Sequence, residues 1–325
     1  MDYVHRGAGD RKRTRFCPCA RSVIKYYMNN KKTISETIIT ALIKVSGYSA
    51  IVFVGMIFLF LVSESFPTVL EVPLGDIFSS RWCPIEKYYG IVPLFGGSLI
   101  VTLGAAIFAL PIGIGTAIFI SEVAPRWARD ILKPLVEVLG GLPSVVLGFL
   151  GIMILSPYLR RLLDLPTGLT ALAGGILLGG IAIPTIVSVA EDALDAVPRS
   201  YRDAALALGA TRWQTIWRVT LPAARSGVLT AVMLGIGRAI GETMTVMMVT
   251  GNAAVLPFYP GALFHPVRTM TATIAAEMGE VANGSIHYHV LFFIGIVLFL
   301  ISLGINIAAS AVVFRIRNRS ERILS

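Results

Sequence analysis

Charged side chains are what this sequence has least of. Asp, Glu, Lys and Arg make up 14% of its 325 residues against 55% hydrophobic, and mean hydropathy is +0.75. That balance excludes an ordinary soluble domain and makes lipid part of the solvent. Cysteine is nearly absent as well: there are 3, Cys17, Cys19 and Cys83. Cys17 and Cys19 are expected inside and Cys83 outside, so no pair faces an oxidising compartment and no disulfide framework is implied. The spacing Cys17-Pro18-Cys19 is too short for the usual zinc motifs and has no companion pair, so no metal is expected there. No Gly-x-x-x-x-Gly-Lys-Ser/Thr loop occurs either. ATP is therefore not expected to bind this chain in the usual way, and no directly bound cofactor is expected.

What the sequence does have is long apolar runs. Charge-free stretches cover 45–63, 88–121, 138–159, 165–190 and 281–314, and a further one covers 226–250 with only Arg238 and Glu242 interrupting. A helical span needs about 20 residues to cross roughly 30 Å of hydrocarbon. These runs are too long and too continuous for the alternating strands of an outer-membrane barrel. The expected fold is all-α and integral to the membrane, with six transmembrane helices. The first run begins too far in for a simple cleavable signal, so it reads as a retained helix.

Basic residues give the orientation. Of 28 Lys and Arg, 10 precede residue 45, 3 lie in 122–134, 5 in 191–225 and 4 after 314. Arg81, Lys87, Arg160, Arg161 and Arg268 fall to the other side, so both termini are expected to be cytoplasmic. The expected divisions are a basic cytoplasmic segment 1–44, a first helix 45–63, a periplasmic loop 64–90, a core 91–314 containing a cytoplasmic loop 191–225, and a tail 315–325. The basic head, Arg11-Lys12-Arg13-Thr14-Arg15 with Lys31-Lys32, lacks interleaved aromatics and precedes a span. It reads as a solvated tail near anionic headgroups, not as a nucleic-acid site.

The loop 191–225 is patterned. Pro198 starts a short helix and Gly209 ends it; a second helix carrying Trp213, Ile216 and Trp217 is expected to stop before Pro222. The product is an amphipathic helix-turn-helix that suits a membrane surface or the groove of a partner protein. Asp203-Ala204-Ala205, Gly209, Val219 and Leu221-Pro222 resemble the EAA loop of ABC-importer permeases, with Asp203 in place of the leading Glu and Val219 in place of the usual Ile. Three further segments narrow the resemblance: Gly141-Leu142-Pro143-Ser144-Val145-Val146-Leu147-Gly148-Phe149, Gly237-Arg238-Ala239-Ile240-Gly241-Glu242-Thr243-Met244 and Thr271-Ala272-Thr273-Ile274-Ala275-Ala276-Glu277-Met278. Over about 93–314 the chain is similar to the PstC family of phosphate permeases.

The resemblance implies a type I ABC-importer permease fold of the MetI-like kind and a subunit forming half of a translocation pathway. It implies a loop in which Asp203, Ala204, Ala205, Gly209, Val219, Leu221 and Pro222 couple to an ATPase. It also implies partners: a PstA-like permease, a PstB-like ATPase dimer that uses the ATP, and a PstS-like binding protein. An inner-membrane location and the substrate pathway at Arg238, Glu242 and Thr243 come from the same source. Sulfate or molybdate remain alternative substrates, and a membrane scaffold or a membrane enzyme are the readings from other classes.

Arg238 and Glu242 stand out without any relative. An ionisable residue inside a span is costly and usually faces a cavity or partner. Their i, i+4 spacing predicts one shared helix face, and a guanidinium offers a fork matched to phosphate oxygens. A buried structural pair is the competing reading. Glycines and prolines inside the spans, such as Pro111 and Pro143, predict close helix approach and kinks. His287 and His289 flank Tyr288 beside the last span, and they and His265 read as solvated interface residues, not as a metal site. The long region 251–284, with a short helix expected near 270–279, is a candidate outer gate or a place to receive a binding protein.

Overall fold

The computed structural model describes residues 34–259 and 261–324, in two compact units, Met1–Leu59 and Phe60–Ser325. The basic head before residue 34, with Lys31, Lys32, Cys17 and Cys19, lies outside the described residues, as do the side chains of 315–325. The described part of the first unit belongs to helix α1, Ile34–Glu71. Its apolar side chains are turned outward, with Leu42, Ile51 and Leu59 61–70% exposed. That pattern fits a lipid-facing helix. The run expected over 45–63 is therefore the middle of a longer helix that extends into the segment expected to be loop.

The second unit is almost wholly helical. After α2, Leu74–Ile77, strands β1, Trp82–Cys83, and β2, Tyr88–Tyr89, pair antiparallel with Trp82 opposite Tyr89. Helix α3, Val92–Ile118, is prolonged by a π-helical turn, Phe119–Val123. Then come α4, Arg126–Gly140, and α5, Ser144–Leu150, which passes through a second π turn, Gly151–Leu155, into α6, Ser156–Leu162. Helix α7, Ala171–Asp195, leads to α8, Arg199–Ala207. Next are α9, Arg212–Thr215, a third π turn, Ile216–Thr220, and α10, Leu221–Ala223. Helices α11, Arg225–Gly241, α12, Met244–Val249, α13, Met270–Glu277, and α14, Ile286–Leu324, complete the chain.

Five of the described helical segments are long and apolar enough to cross a membrane. The sixth expected span is α11, which qualifies only together with Arg212–Ala223, from which it bends by 74°. The run 226–250 is not one helix: it breaks after Gly241 and resumes at Met244. The helix expected to stop before Pro222 instead runs on to Ala223 through the π turn.

Helix α7 is the most buried of the apolar spans and lies at the centre. It approaches α3 through glycine: a methyl placed on Gly175 would sit 3.3 Å from the carbonyl carbon of Gly104. On another side Gly235 of α11 leaves room for Ile186 of α7, whose side chain would come within 2.4 Å of an added Cβ. Helices in lipid gain little from the hydrophobic effect between themselves, so such close backbone packing supplies much of the association. One apolar cluster, including Ile120, Val187, Leu194 and Ile216, fills the end near α8; another, including Ile77, Leu94, Met270 and Leu291, fills the opposite end.

Gly97 of α3 faces backbone: an added Cβ would lie 2.1 Å from the carbonyl oxygen of Arg268, whereas at Gly115 nothing lies within 4 Å. Gly97→Ala is expected to cost about 1–3 kcal/mol, the usual range for overpacking, while Gly115→Ala is neutral or slightly stabilising. Thermal unfolding of the two variants in detergent checks this; equal midpoints contradict the packing.

Candidate functional site

The loop between α7 and α11 is built as its punctuation requires. Pro198, with ψ 136°, is extended and starts α8. Gly209 takes φ +83°, a left-handed conformation that strains any side chain even though nothing lies within 4 Å. Its N–H donates to Leu206 O at 3.0 Å and that of Ala210 to Ala205 O at 3.1 Å, a Schellman closure. Thr211 and Gln214 then form a reciprocal capping box that starts α9.

Asp203, Ala204 and Gly209 are exposed, as are Leu206 and Leu208, the latter by 89%. Ala205 instead is buried, and Val219 and Leu221 are half-buried, with Pro222 exposed. The EAA-like residues thus divide between an outward face and an anchoring face. The exposed Leu208 at the tip is an apolar feature that the motif positions alone do not mark. Trp213 and Trp217 meet edge to face at 5.7 Å and flank an apolar groove of about 1000 Å³ between the loop, α3 and α11.

Arg238 lies in the last turn of α11. Its guanidinium donates to Thr185 Oγ1 on α7 and to the Gly140 carbonyl at the end of α4, both at 3.1 Å. It does not pair with Glu242, and here the one-face expectation is overturned. The helix ends at Gly241, and Glu242 is extended with φ −71° and ψ 129°, so the i, i+4 geometry no longer exists. The Glu242 carboxylate instead accepts the Thr245 N–H at 3.3 Å, while its carbonyl accepts from Thr271 Oγ1 at 3.2 Å. Thr243 sits in the break and donates its hydroxyl to Gly241 O at 3.3 Å. Thr245 Oγ1 bonds Ser144 O at 2.8 Å, tying this break to the start of α5. Arg238 has five N–H donors and spends two on these neutral acceptors, so donors remain for an anion.

Two ionic nodes sit at opposite ends of α7. Near α8, Arg129 pairs with Glu191 at 2.7 Å and with Asp195, and Lys133 with Glu191 at 2.7 Å and Asp192 at 3.1 Å. The contact with Glu191 raises the Lys133 ammonium above its ordinary value, against desolvation that lowers it. The Lys133 ammonium therefore stays charged through neutral pH, and the stability its raised value contributes is lost as pH rises through that value. At the other end Glu277 receives Arg268 at 2.7 Å, His287 at 2.8 Å and the Trp82 indole N–H at 3.3 Å. His287 and His289 are therefore not solvated: His289 Nδ1 lies 2.7 Å from Glu64 O. His265 is bonded to Gly261 O at 3.0 Å. Among the described residues no group of three metal-ligating side chains converges.

Residues 109–318 match the family described as binding-protein-dependent transport system inner membrane component. The chain belongs to that family. Among curated proteins it is similar to a probable ABC transporter permease protein, YqgH, of Bacillus subtilis, 42% identical over 71% of this chain and 74% of that one. The phosphate transport system permease protein PstC of Pasteurella multocida is 33% identical over 82% of this chain and 90% of its own length. That of Mesorhizobium japonicum is 31% identical over 88% and 92%. A bacterial alginate ABC transporter structure matches with TM-score 0.60 at 16% identity, covering 89% of this chain and 96% of that one. An inward-facing MetNI methionine ABC transporter matches with TM-score 0.54 at 20% identity, covering 73% and 99%. The fold is that of the MetI-like importer permeases, and as a family member with several apolar helices the chain is a multi-pass membrane protein and a transport subunit.

Glu277 is a carboxylate only 16% exposed that pairs with Arg268 and lies 2.8 Å from His287. Glu277→Gln strands the half-buried Arg268 and is expected to cost about 1–3 kcal/mol, whereas the exposed Glu280→Gln leaves stability unchanged. Detergent melting of both variants decides; a Glu277→Gln midpoint equal to wild type removes the node from the structure's supports.

Proposed function

We propose that this chain is the permease subunit of an ATP-driven importer of inorganic phosphate and forms half of its translocation pathway. The observation that carries the reading is the similarity to permeases named for phosphate transport across most of the chain. The partners it calls for are a PstA-like permease completing the pore, a PstB-like ATPase dimer performing the hydrolysis, and a PstS-like phosphate-binding protein. Both termini are cytoplasmic in this reading, which the distribution of Lys and Arg supports. The loop 191–225 then faces the ATPase, with Asp203, Ala204, Leu206 and Leu208 outward, Gly209 shaping the turn, and Ala205, Val219 and Leu221 anchoring it to the spans.

In the pathway, Arg238 offers its unspent donors to the substrate's oxygens. Its grip is moderated by two neutral acceptors, Thr185 Oγ1 and Gly140 O, in place of a carboxylate. That suits a transient site, because a permanent counter-ion would compete with the anion and an unshared cation would hold it too long. Glu242 and Thr243 contribute by keeping the α11–α12 break in the shape that presents Arg238.

Uptake in vesicles holding this chain with its ATPase, partner permease and binding protein tests the reading, with sulfate as competitor. ATP-dependent phosphate uptake that ignores sulfate and falls at least about tenfold, equivalent to about 1.4 kcal/mol, in Arg238→Gln is expected. Active sulfate uptake without phosphate uptake transfers the substrate to another oxyanion. Intact phosphate uptake in Arg238→Gln at normal expression returns Arg238 to a structural role.

A further inference from the structure

Arg202 stands one position before the EAA-like triplet and is the side chain that fastens α8 to the membrane helices. Its Nε lies 3.0 and 3.3 Å from the two carboxylate oxygens of Glu122, and Nη2 lies 2.6 Å from Glu122 Oε1. The same guanidinium donates from Nη1 to Val197 O at 2.7 Å and from Nη2 to Leu194 O at 2.9 Å. Arg202 is 19% exposed and Glu122 only 9%, so the contact is sheltered from water and salt, unlike a surface pair.

Each acceptor lies on a different element. Glu122 belongs to the π turn that ends α3, Leu194 to the last turn of α7, and Val197 to the three-residue link before α8. Without Arg202 that short link would remain the covalent tie between α8 and α7, and α3 would lose its ionic tie to the loop. Beyond Arg202 the contacts continue toward the pathway. Ser121, beside Glu122, donates to Asp195 at 2.7 Å, and Asp195 with Glu191 holds Arg129 of α4. Helix α4 ends at Gly140 and α7 carries Thr185, the two acceptors of Arg238. Thr185 and Leu194 are nine residues apart on one continuous helix, about 14 Å of rigid rod.

We propose that Arg202 is a positioning residue for transport, a strut through which displacement of α8 moves the ends of α3 and α7 together and so reaches Arg238. The inference rests on the proposal that the loop 191–225 receives an ATPase. A planar fork is needed because one guanidinium must satisfy a carboxylate and two carbonyls at once, which a lysine ammonium on a flexible stem cannot do in the same geometry. The fold of α8 itself does not depend on the strut: Pro198, the Gly209 closure and the packing of buried Ala205 are separate from it.

The test uses the complete transporter in proteoliposomes and reads phosphate taken up per ATP hydrolysed, alongside retention of the ATPase subunit on purification. Single removal of Arg202 strands the buried Glu122 and risks misfolding, so the informative variant is the double Arg202→Gln, Glu122→Gln, which removes both charges. Arg202→Lys, with the charge kept and the fork lost, is the second variant. Both are expected to retain the ATPase and hydrolyse ATP, with uptake per ATP at least about fivefold lower, the low end of usual coupling between sites. Wild-type uptake per ATP in both overturns the strut while leaving the proposed function intact. Loss of the ATPase from both also overturns it, since Arg202 would then serve docking alone. A wild-type complex that neither binds the ATPase nor takes up phosphate overturns the proposed function, and the strut falls with it.

Discussion

Everything in this structure hangs on the close approach of α3 to α7 through Gly104 and Gly175. In lipid, apolar side chains gain little by meeting one another, so helices associate where small residues let backbones come near. That contact fixes α7 at the centre of the second unit, and α7 carries the groups that reach three of its neighbours. Thr185 meets Arg238, Glu191 and Asp195 hold α4, and the Leu194 carbonyl meets Arg202. A shift of α7 against α3 would therefore disturb Arg238, the Arg129 node and the Arg202 anchor at once.

The charges obey the same economy. A half-buried ion needs its partner more than it gains from it, because stranding one member costs more than the pair is worth against an apolar substitute. The Arg129 node and the Glu277 node are paired in this way: the first joins α4 to α7, with Arg129 and Glu191 62 residues apart, and the second joins the two flanks of α13. Arg238 differs in resting on neutral oxygens, which leaves its net charge uncompensated locally. Arg238 is exposed, unlike the paired ions of the two nodes, so its charge is open to whatever lies beside it.

The six apolar runs, the Pro198 start, the Gly209 turn and the short helix after 270 could be read from sequence, since each depends on hydropathy over a window or on the backbone preferences of one residue. The break after Gly241 could not. Nothing between Arg238 and Thr243 is a proline, and the extended conformation of Glu242 is held by contacts with Thr271 and Thr245 that spacing does not reveal. For the same reason i, i+4 spacing misled: it is a statement about neighbours on an unbroken helix. The partners of Arg238, His287 and Arg202 lie on other elements, and no local pattern names them. The π turn through which the helix continues past Pro222 to Ala223 is likewise marked by no residue pattern.

The two helix breaks are adjacent, and that adjacency bears on how an anion could cross. The first lies between α4 and α5, at Gly140 to Pro143, and the second between α11 and α12; Thr245 bonds Ser144 across them and Arg238 bonds Gly140. Unwound backbone at membrane depth is tolerated only where protein buries it or where it lines a watered cavity, because lipid offers its carbonyls and amides nothing. Both breaks border the Arg238 guanidinium, which spends two of its five donors on protein oxygens. Polar backbone, spare donors and a pair of joints that can flex thus converge in one place. An arginine on an unbroken helix would have supplied the charge alone, without the means to change its surroundings as the helices move.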